Sequence, residues 1–188
     1  MLDRRWSITA CDISPEMIER AIRKFPEGVA FDVCDMRELP DYGAFQLVWA
    51  LNDAVNYLLG DDDLQIALSA MGRNLSEDGL VVFDANTRRQ FGEYFEGEVE
   101  EMGGERWTWR GLGSDGDIYE VELSGEGVES HHHRERYRSV PEVQAAMVAV
   151  GLTPLAAMGQ SEANGPLVMA PDWDEDRDQK IVHVAGRR

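Results

Sequence analysis

Two acids stand where this chain could do chemistry. Asp12 closes the β-branched, apolar run Ser7-Ile8-Thr9-Ala10-Cys11, and Asp35 closes a second run, Val29 to Cys34. In wound sheets ligands bind beyond the carboxyl ends of the strands, and an acid there can clasp two hydroxyls of a ribose in paired, charge-assisted hydrogen bonds. A single acid after a strand is more often a capping or loop residue. Two of them at successive strand ends favour a ligand site.

Other motifs carry less. Gly111-Leu112-Gly113-Ser114-Asp115-Gly116 fits G-x-G-x-x-G, but it follows Trp107-Thr108-Trp109-Arg110, precedes the strand-like Ile118 to Leu123 and opens no helix. A cofactor-cradling loop needs a helix N-terminus behind it, so a hairpin turn is expected. His131-His132-His133 would alternate between the faces of a strand, leaving at most His131 and His133 on one side, so solvated edge-strand histidines and no metal site are expected. Asp172, Asp174, Asp176 and Asp178 alternate like a calcium loop. Arg177 stands where such a loop has glycine and His183 where it has glutamate, which makes the run a solvated loop. Cys11 and Cys34 are too few for a disulfide framework or a four-thiolate site and read as buried free thiols. Trp107, Trp109 and Tyr119 are expected to bury their segment against the body.

The elements that must position these residues alternate. Ser14-Pro15-Glu16 starts a helix whose Met17, Ile18, Ala21, Ile22 and Phe25 recur at helical spacing until Pro26-Glu27-Gly28. Phe45 to Leu51 is a buried strand. Asp61-Asp62-Asp63 opens a helix with the apolar stripe Leu64, Leu68, Met71 and Leu75, and the turn Glu77-Asp78-Gly79 leads into the strand Leu80 to Phe83. Such alternation implies a mostly parallel sheet with helices on both faces. Between Phe91 and Arg138 the texture becomes Gly-rich, acidic and period-two, which reads as an antiparallel β meander inserted into the α/β body. The body resumes with the capping-box spacing Ser139 to Glu142, a helix stopped by Gly151, and two strands, Leu152 to Met158 and Lys180 to Ala185. A single domain over residues 1–188, with 91–138 as an inserted antiparallel lid, accounts for the chain.

Composition sets the partners. The 188 residues are 43 % hydrophobic and 29 % charged, which excludes a disordered or collagen-like chain. Eighteen Lys and Arg against thirty-six Asp and Glu leave a formal charge of −18, a field that repels nucleic acid and anionic membranes. With no long apolar run and no signal-peptide pattern, a cytoplasmic protein acting on a small molecule is expected.

In order and spacing, Ile8 to Met17, Asp35-Met36, Phe45 to Val48, Asn56 to Leu59 and Leu75 to Asp84 resemble the class I S-adenosylmethionine-dependent methyltransferases, as does the tail Lys180 to Arg187. The resemblance implies a Rossmann-like fold and S-adenosylmethionine as cofactor. It assigns Asp12 to the ribose hydroxyls and Ile13 to the adenine face. It assigns Asp35 to the adenine amino group, with Met36 beside the ring, and puts Leu51 and Asn52 near the methionine end. His133, with Arg134, Arg136 and Tyr137, resembles the segment that closes the active site in small-molecule members. There His133 would serve as a base and Asn56 or Tyr57 would orient an amine or hydroxyl acceptor.

One feature departs from the family. Its first strand and glycine-rich loop have no counterpart, and Met1 to Trp6 matches only the end of the helix that follows them. That strand is central in the family's sheet. Without it the flanking strands must pair directly, present unpaired edges, or take a strand from another chain, as in a homodimer. The expected function is methyl transfer from S-adenosylmethionine to nitrogen or oxygen of a small molecule, encoded here in a shortened form that would impair it. The alternatives are a non-catalytic remnant or interaction module, and a nicotinamide-dependent oxidoreductase, which leaves Asp35-Met36 and the late meander unexplained.

Overall fold

The computed structural model describes residues 6–95, 98–102, 105–125, 128–161 and 167–187. The chain begins with β1 (Ile8–Asp12), α1 (Pro15–Lys24) and β2 (Val29–Val33), followed by a 3-10 turn, Met36–Glu38. β3 (Phe45–Ala50), a second 3-10 turn (Ala54–Tyr57), α2 (Asp63–Arg73) and β4 (Leu75–Asn86) come next. The insertion holds α3 (Arg88–Phe95), β5 (Glu98–Met102), β6 (Glu105–Asp115), β7 (Ile118–Gly125) and β8 (Val128–Arg136). α4 (Val140–Ala149), β9 (Leu152–Ser161), β10 (Val168–Ala170) and β11 (Lys180–Arg187) complete the order.

Local chemistry explains the starts. Ser14 Oγ accepts the Met17 N–H at 3.2 Å, and Pro15 takes the first turn of α1, where no intrahelical donor is lost. At α4 the Glu142 carboxylate accepts both the Ser139 N–H, at 2.8 Å, and its hydroxyl, at 2.6 Å. β1 and β2 pair in parallel with Asp12 opposite Val33, so the exits carrying Asp12 and Asp35 leave side by side. β3 and β4 are also parallel, while β11 pairs antiparallel with both β4 and β9, and β9 pairs antiparallel with β10.

The expected stripe Leu64, Leu68, Met71 and Leu75 is buried against Val81 and Phe83 of β4 and Val143 and Met147 of α4. Each such side chain contributes roughly 1.5–3 kcal/mol. The insertion is a four-stranded antiparallel sheet, ordered β5-β6-β7-β8 and held to α3 by a second small core of Phe91, Val121 and Tyr137. Trp109 and Tyr119 pack against that core, which lies within the insertion rather than in the α/β body as expected, while the Trp107 side chain lies outside the described residues.

The principal sheet comes in two pieces. β1 and β2 form one, and β10-β9-β11-β4-β3 the other. Neither β1 nor β3 has a second strand neighbour among the described residues, so the two strands do not pair directly with each other. Exposure follows from this. Of the apolar residues spaced along α1 only Ile18 is buried, and Met17, Ile22 and Phe25 stay exposed, as does Trp49 on β3. Cys11 is likewise exposed and Cys34 half-buried, correcting the expectation of two buried thiols.

Other differences are local. Glu77-Asp78-Gly79 lies inside β4 as an irregularity in its pairing with β3, and a Cβ on Gly79 would come within 2.7 Å of the Phe45 carbonyl oxygen. α3 precedes the meander, and β10 falls within the expected acidic loop. Asp178 is not solvated. It is buried, its carboxylate taking the Arg177 guanidinium at 2.7 Å and the Asp174 N–H at 2.9 Å. Of the segment Met1 to Trp6, residues 1–5 lie outside the described ones, and Trp6 is exposed in neither helix nor strand. No helix among the described residues is long and apolar enough to cross a membrane.

Candidate active site

Beyond β1, Asp12 Oδ1 accepts the Ser14 N–H at 2.8 Å, and the other carboxylate oxygen has no hydrogen-bond partner among the described residues. Ile13 beside it is 67 % exposed. A free acceptor edge next to an uncovered branched side chain suits a hydroxylated, flat apolar ligand. Asp35 is differently placed. Its carboxylate takes Arg37 three ways, from the backbone N–H at 2.8 Å, from Nε at 3.0 Å and from Nη2 at 2.6 Å. Those bonds hold its carboxyl below the usual range. Contrary to the free acceptor implied by the sequence, Asp35 is fully engaged in this structure. Met36, partly buried, packs on the main core.

After β3 the chain turns through Asn52 and Asp53, both left-handed at φ 60° and 56°, a conformation that costs non-glycine residues energy unless other contacts hold it. Asp84, buried near the end of β4, supplies that hold. Its Oδ2 accepts the Asn52 N–H at 3.0 Å and its Oδ1 the Asp53 N–H at 2.6 Å. Lys180 from β11 lies 2.7 Å from Asp53 Oδ1 and 3.9 Å from Asp84 Oδ2. Leu51, just before this turn, is exposed.

The 3-10 turn and the edge strand β8 meet over the end of β4. Asn56, 1 % exposed, donates from Nδ2 to the Arg136 carbonyl at 2.9 Å and accepts the Asn86 N–H at 3.0 Å. Both ends of its amide therefore serve to hold β8 to β4. Tyr57 is 45 % exposed and its hydroxyl lies 3.0 Å from His133 Nδ1, the donor and acceptor roles depending on the imidazole tautomer. Trp109 stacks on His133 with ring centroids 5.9 Å apart. His131 and His132 are exposed, as expected of an edge strand. Burial keeps His133 below the ordinary imidazole range, which favours its neutral form.

Behind this pair lies a residue that the sequence reading missed. Glu135, 1 % exposed, accepts the Asn86 Nδ2 at 2.8 Å. Burial first, then the negative charge of Asp53, push its carboxyl up to about 7 against hydrogen bonds from Asn86 and Tyr57 and the charge of Lys180. Strand periodicity was the available signal, since His131, His133, Glu135 and Tyr137 fall on one face. Asp84 and Asn86 gave a second, as polar residues that follow the apolar run Leu80 to Phe83 of β4.

Arginines join the two halves. Arg37 reaches from Asp35 to Asp63 at 3.1 Å, and Asp63 accepts the Gly60 N–H at 2.9 Å. Arg136 donates to the Leu59 carbonyl at 2.8 Å and Asp61 at 2.7 Å, while Arg138 donates to the Gly60 carbonyl at 3.0 Å. The residue-60 loop is thus bound to the turn after β2 on one side and to the end of β8 on the other. The G-x-G-x-x-G run lies in the β6–β7 hairpin, whose turn contains Gly116 at φ +60°, as expected. No group of His, Cys, Asp or Glu among the described residues is arranged to hold a metal ion.

Comparison with known proteins agrees with this architecture. The "Methyltransferase domain" family model matches residues 1–79. YqeM of Bacillus subtilis (strain 168), itself named only provisionally as a methyltransferase, is 28 % identical over 98 residues, 50 % of this chain and 40 % of YqeM. The matched stretch is therefore under half the length of that curated relative. An S-adenosylmethionine-dependent methyltransferase from Clostridium acetobutylicum ATCC 824 superposes with a TM-score of 0.77 at 20 % identity, over 95 % of this chain and 74 % of that one. CalS10, an amino pentose methyltransferase from Micromonospora echinaspora solved with S-adenosylmethionine bound, superposes with a TM-score of 0.64 at 19 % identity, over 98 % and 75 %. The chain has the fold of the class I S-adenosylmethionine-dependent methyltransferases, and its sequence match to a methyltransferase domain lies in residues 1–79.

Proposed function

We propose that this chain binds S-adenosylmethionine across the ends of β1, β2 and β3 and directs methyl transfer to nitrogen or oxygen of a small molecule. The observation that carries the reading is the connection between the two halves. Arg37 ties Asp35, and Arg136 and Arg138 tie the end of β8, the strand that carries His133, to the residue-60 loop. When bound, the cofactor supplies a methyl group on an already activated sulfonium, open to in-line attack by a lone pair.

The chain's residues have simple tasks in this reading. Asp12 holds the ribose hydroxyls with its free carboxylate edge, and Ile13 and Met36 cover the adenine. Asp35 reaches the adenine amino group only when Arg37 gives up part of its grip. The turn at Leu51 and Asn52, fixed by Asp84, borders the methionine end. Tyr57 orients the acceptor, His133 accepts a proton as a neutral imidazole, and Asn56 is a positioning residue that keeps β8 over the site. Residues 91–138 act as the lid that selects the acceptor, since loops and insertions vary over a common scaffold.

Calorimetric titration with S-adenosylmethionine and with NADH tests the proposal. Saturable binding of the first alone is expected. Binding of neither would favour a non-catalytic module, and binding of NADH alone an oxidoreductase.

A further inference from the structure

Around Lys180 the acids outnumber the cation. Asp53, Asp84 and Glu135 surround the single Lys180 ammonium, which lies closest to Asp53, and Glu135 forms no ion pair among the described residues. Buried acids are ordinarily paired, because an isolated charge out of water is costly. A second observation points the same way. The Asn86 amide that donates to Glu135 leaves its Oδ1 buried with no hydrogen-bond partner among the described residues. Tyr57, half exposed, lies 3.0 Å from His133 Nδ1 through its hydroxyl and interacts electrostatically with the Glu135 carboxyl, with the His133 ring stacked on Trp109. Negative charge beneath and aromatic rings at the side make a place for a cation rather than for a neutral hydroxyl.

Building on the methyl-transfer reading, we infer that the acceptor is an amine arriving as its ammonium ion, and that Glu135, acting through the Tyr57 hydroxyl and in place of His133, removes its proton. The ammonium N–H bond breaks as its proton passes to Tyr57 Oη, and the Tyr57 hydroxyl proton passes to the ionised Glu135 carboxylate. The tyrosine is unchanged, the carboxyl is neutral, and the nitrogen keeps the lone pair that attack requires. An alcohol has no such cation to offer and would leave the acid cluster uncompensated. Tyr57 touches the substrate and Glu135 is a positioning residue behind it. The charged groups facing Glu135 are Asp53 beyond β3 and Lys180 on β11, with Tyr57 and His133 titrating beside it.

Cyclohexylammonium and cyclohexanol, alike in shape, serve as probes in NMR titrations of the full chain with the Glu135 carboxyl carbon labelled. The ammonium should bind at least about tenfold more tightly than the alcohol and move the carboxyl resonance. Because the site needs the ionised acid, wild-type affinity for the ammonium should fall about tenfold per pH unit below about 7. Glu135→Gln should lose both the preference and the pH dependence. Equal affinity for the alcohol, or a flat wild-type pH profile, would overturn the inference even if the variant failed to fold. S-Adenosylhomocysteine titrated in parallel reports separately on the underlying reading, since an amine preference with no nucleoside binding would sink that reading and leave the amine site standing.

Discussion

The two ends of the candidate site are built in opposite ways. Around Asp12 and Asp35 most hydrogen bonds are local, made to residues two positions on, and the surroundings are open. Around Asp84, Asn86, Asn56 and Glu135 the bonds join residues 30 to 80 positions apart and the side chains are nearly all buried. The first end can lose a side chain with little effect on folding. The second cannot, because most of the buried polar groups there satisfy one another. The lesson is that binding and stability should separate cleanly between them.

Four substitutions test that separation. Asp84→Ala should be the most damaging, about 4 kcal/mol, since it strips a charged acceptor from two N–H groups on left-handed residues. A urea unfolding midpoint close to wild type would break the contrast. Glu135→Gln works in the other direction. A carboxyl whose native value lies near 7, above its unfolded one near 4.5, contributes stability below pH 4.5 that is lost as pH rises through 7. At pH 8 the variant should therefore be more stable than wild type, by on the order of 3 kcal/mol, with the difference shrinking toward pH 4.5. Thermal melts across that range check the sign. His183, buried and held down to about 4, varies with pH in the opposite sense, but it is common to both proteins and cancels in the comparison.

Asn56→Ala removes two buried hydrogen bonds between β8 and β4 and should cost about 2 kcal/mol in denaturant unfolding. Asp12→Ala should be the mildest. Loss of the Ser14 N–H contact predicts under about 1 kcal/mol, seen as a nearly unchanged circular dichroism melt.

The same contrast explains what could be read from the sequence. Asp12, Ser14-Pro15 and the Leu64, Leu68 and Met71 stripe announce themselves through neighbours one to four residues away, and the structure has each where the pattern puts it, while Leu75, read as the end of that stripe, instead opens β4. Asp84 holding Asn52 and Asp53, and Glu135 beneath Tyr57, depend on strands brought together by the fold, for which no local spacing exists. Asp35 was legible as a strand-end acid, while its engagement by Arg37 was not, because a nearby arginine has many rotamers and only packing selects one. The exposed stripe of α1 has a related cause: amphipathic spacing says which residues would bury, not whether a neighbour is there to cover them.

The central claim is that a nucleoside is held by Asp12 at the end of β1. The direct measurement is calorimetric titration of S-adenosylhomocysteine into wild type and Asp12→Ala at matched, verified folding. Saturable wild-type binding weakened at least about tenfold by the substitution is the predicted result, as expected for loss of a charge-assisted hydrogen bond. Equal affinity of the two proteins would contradict it.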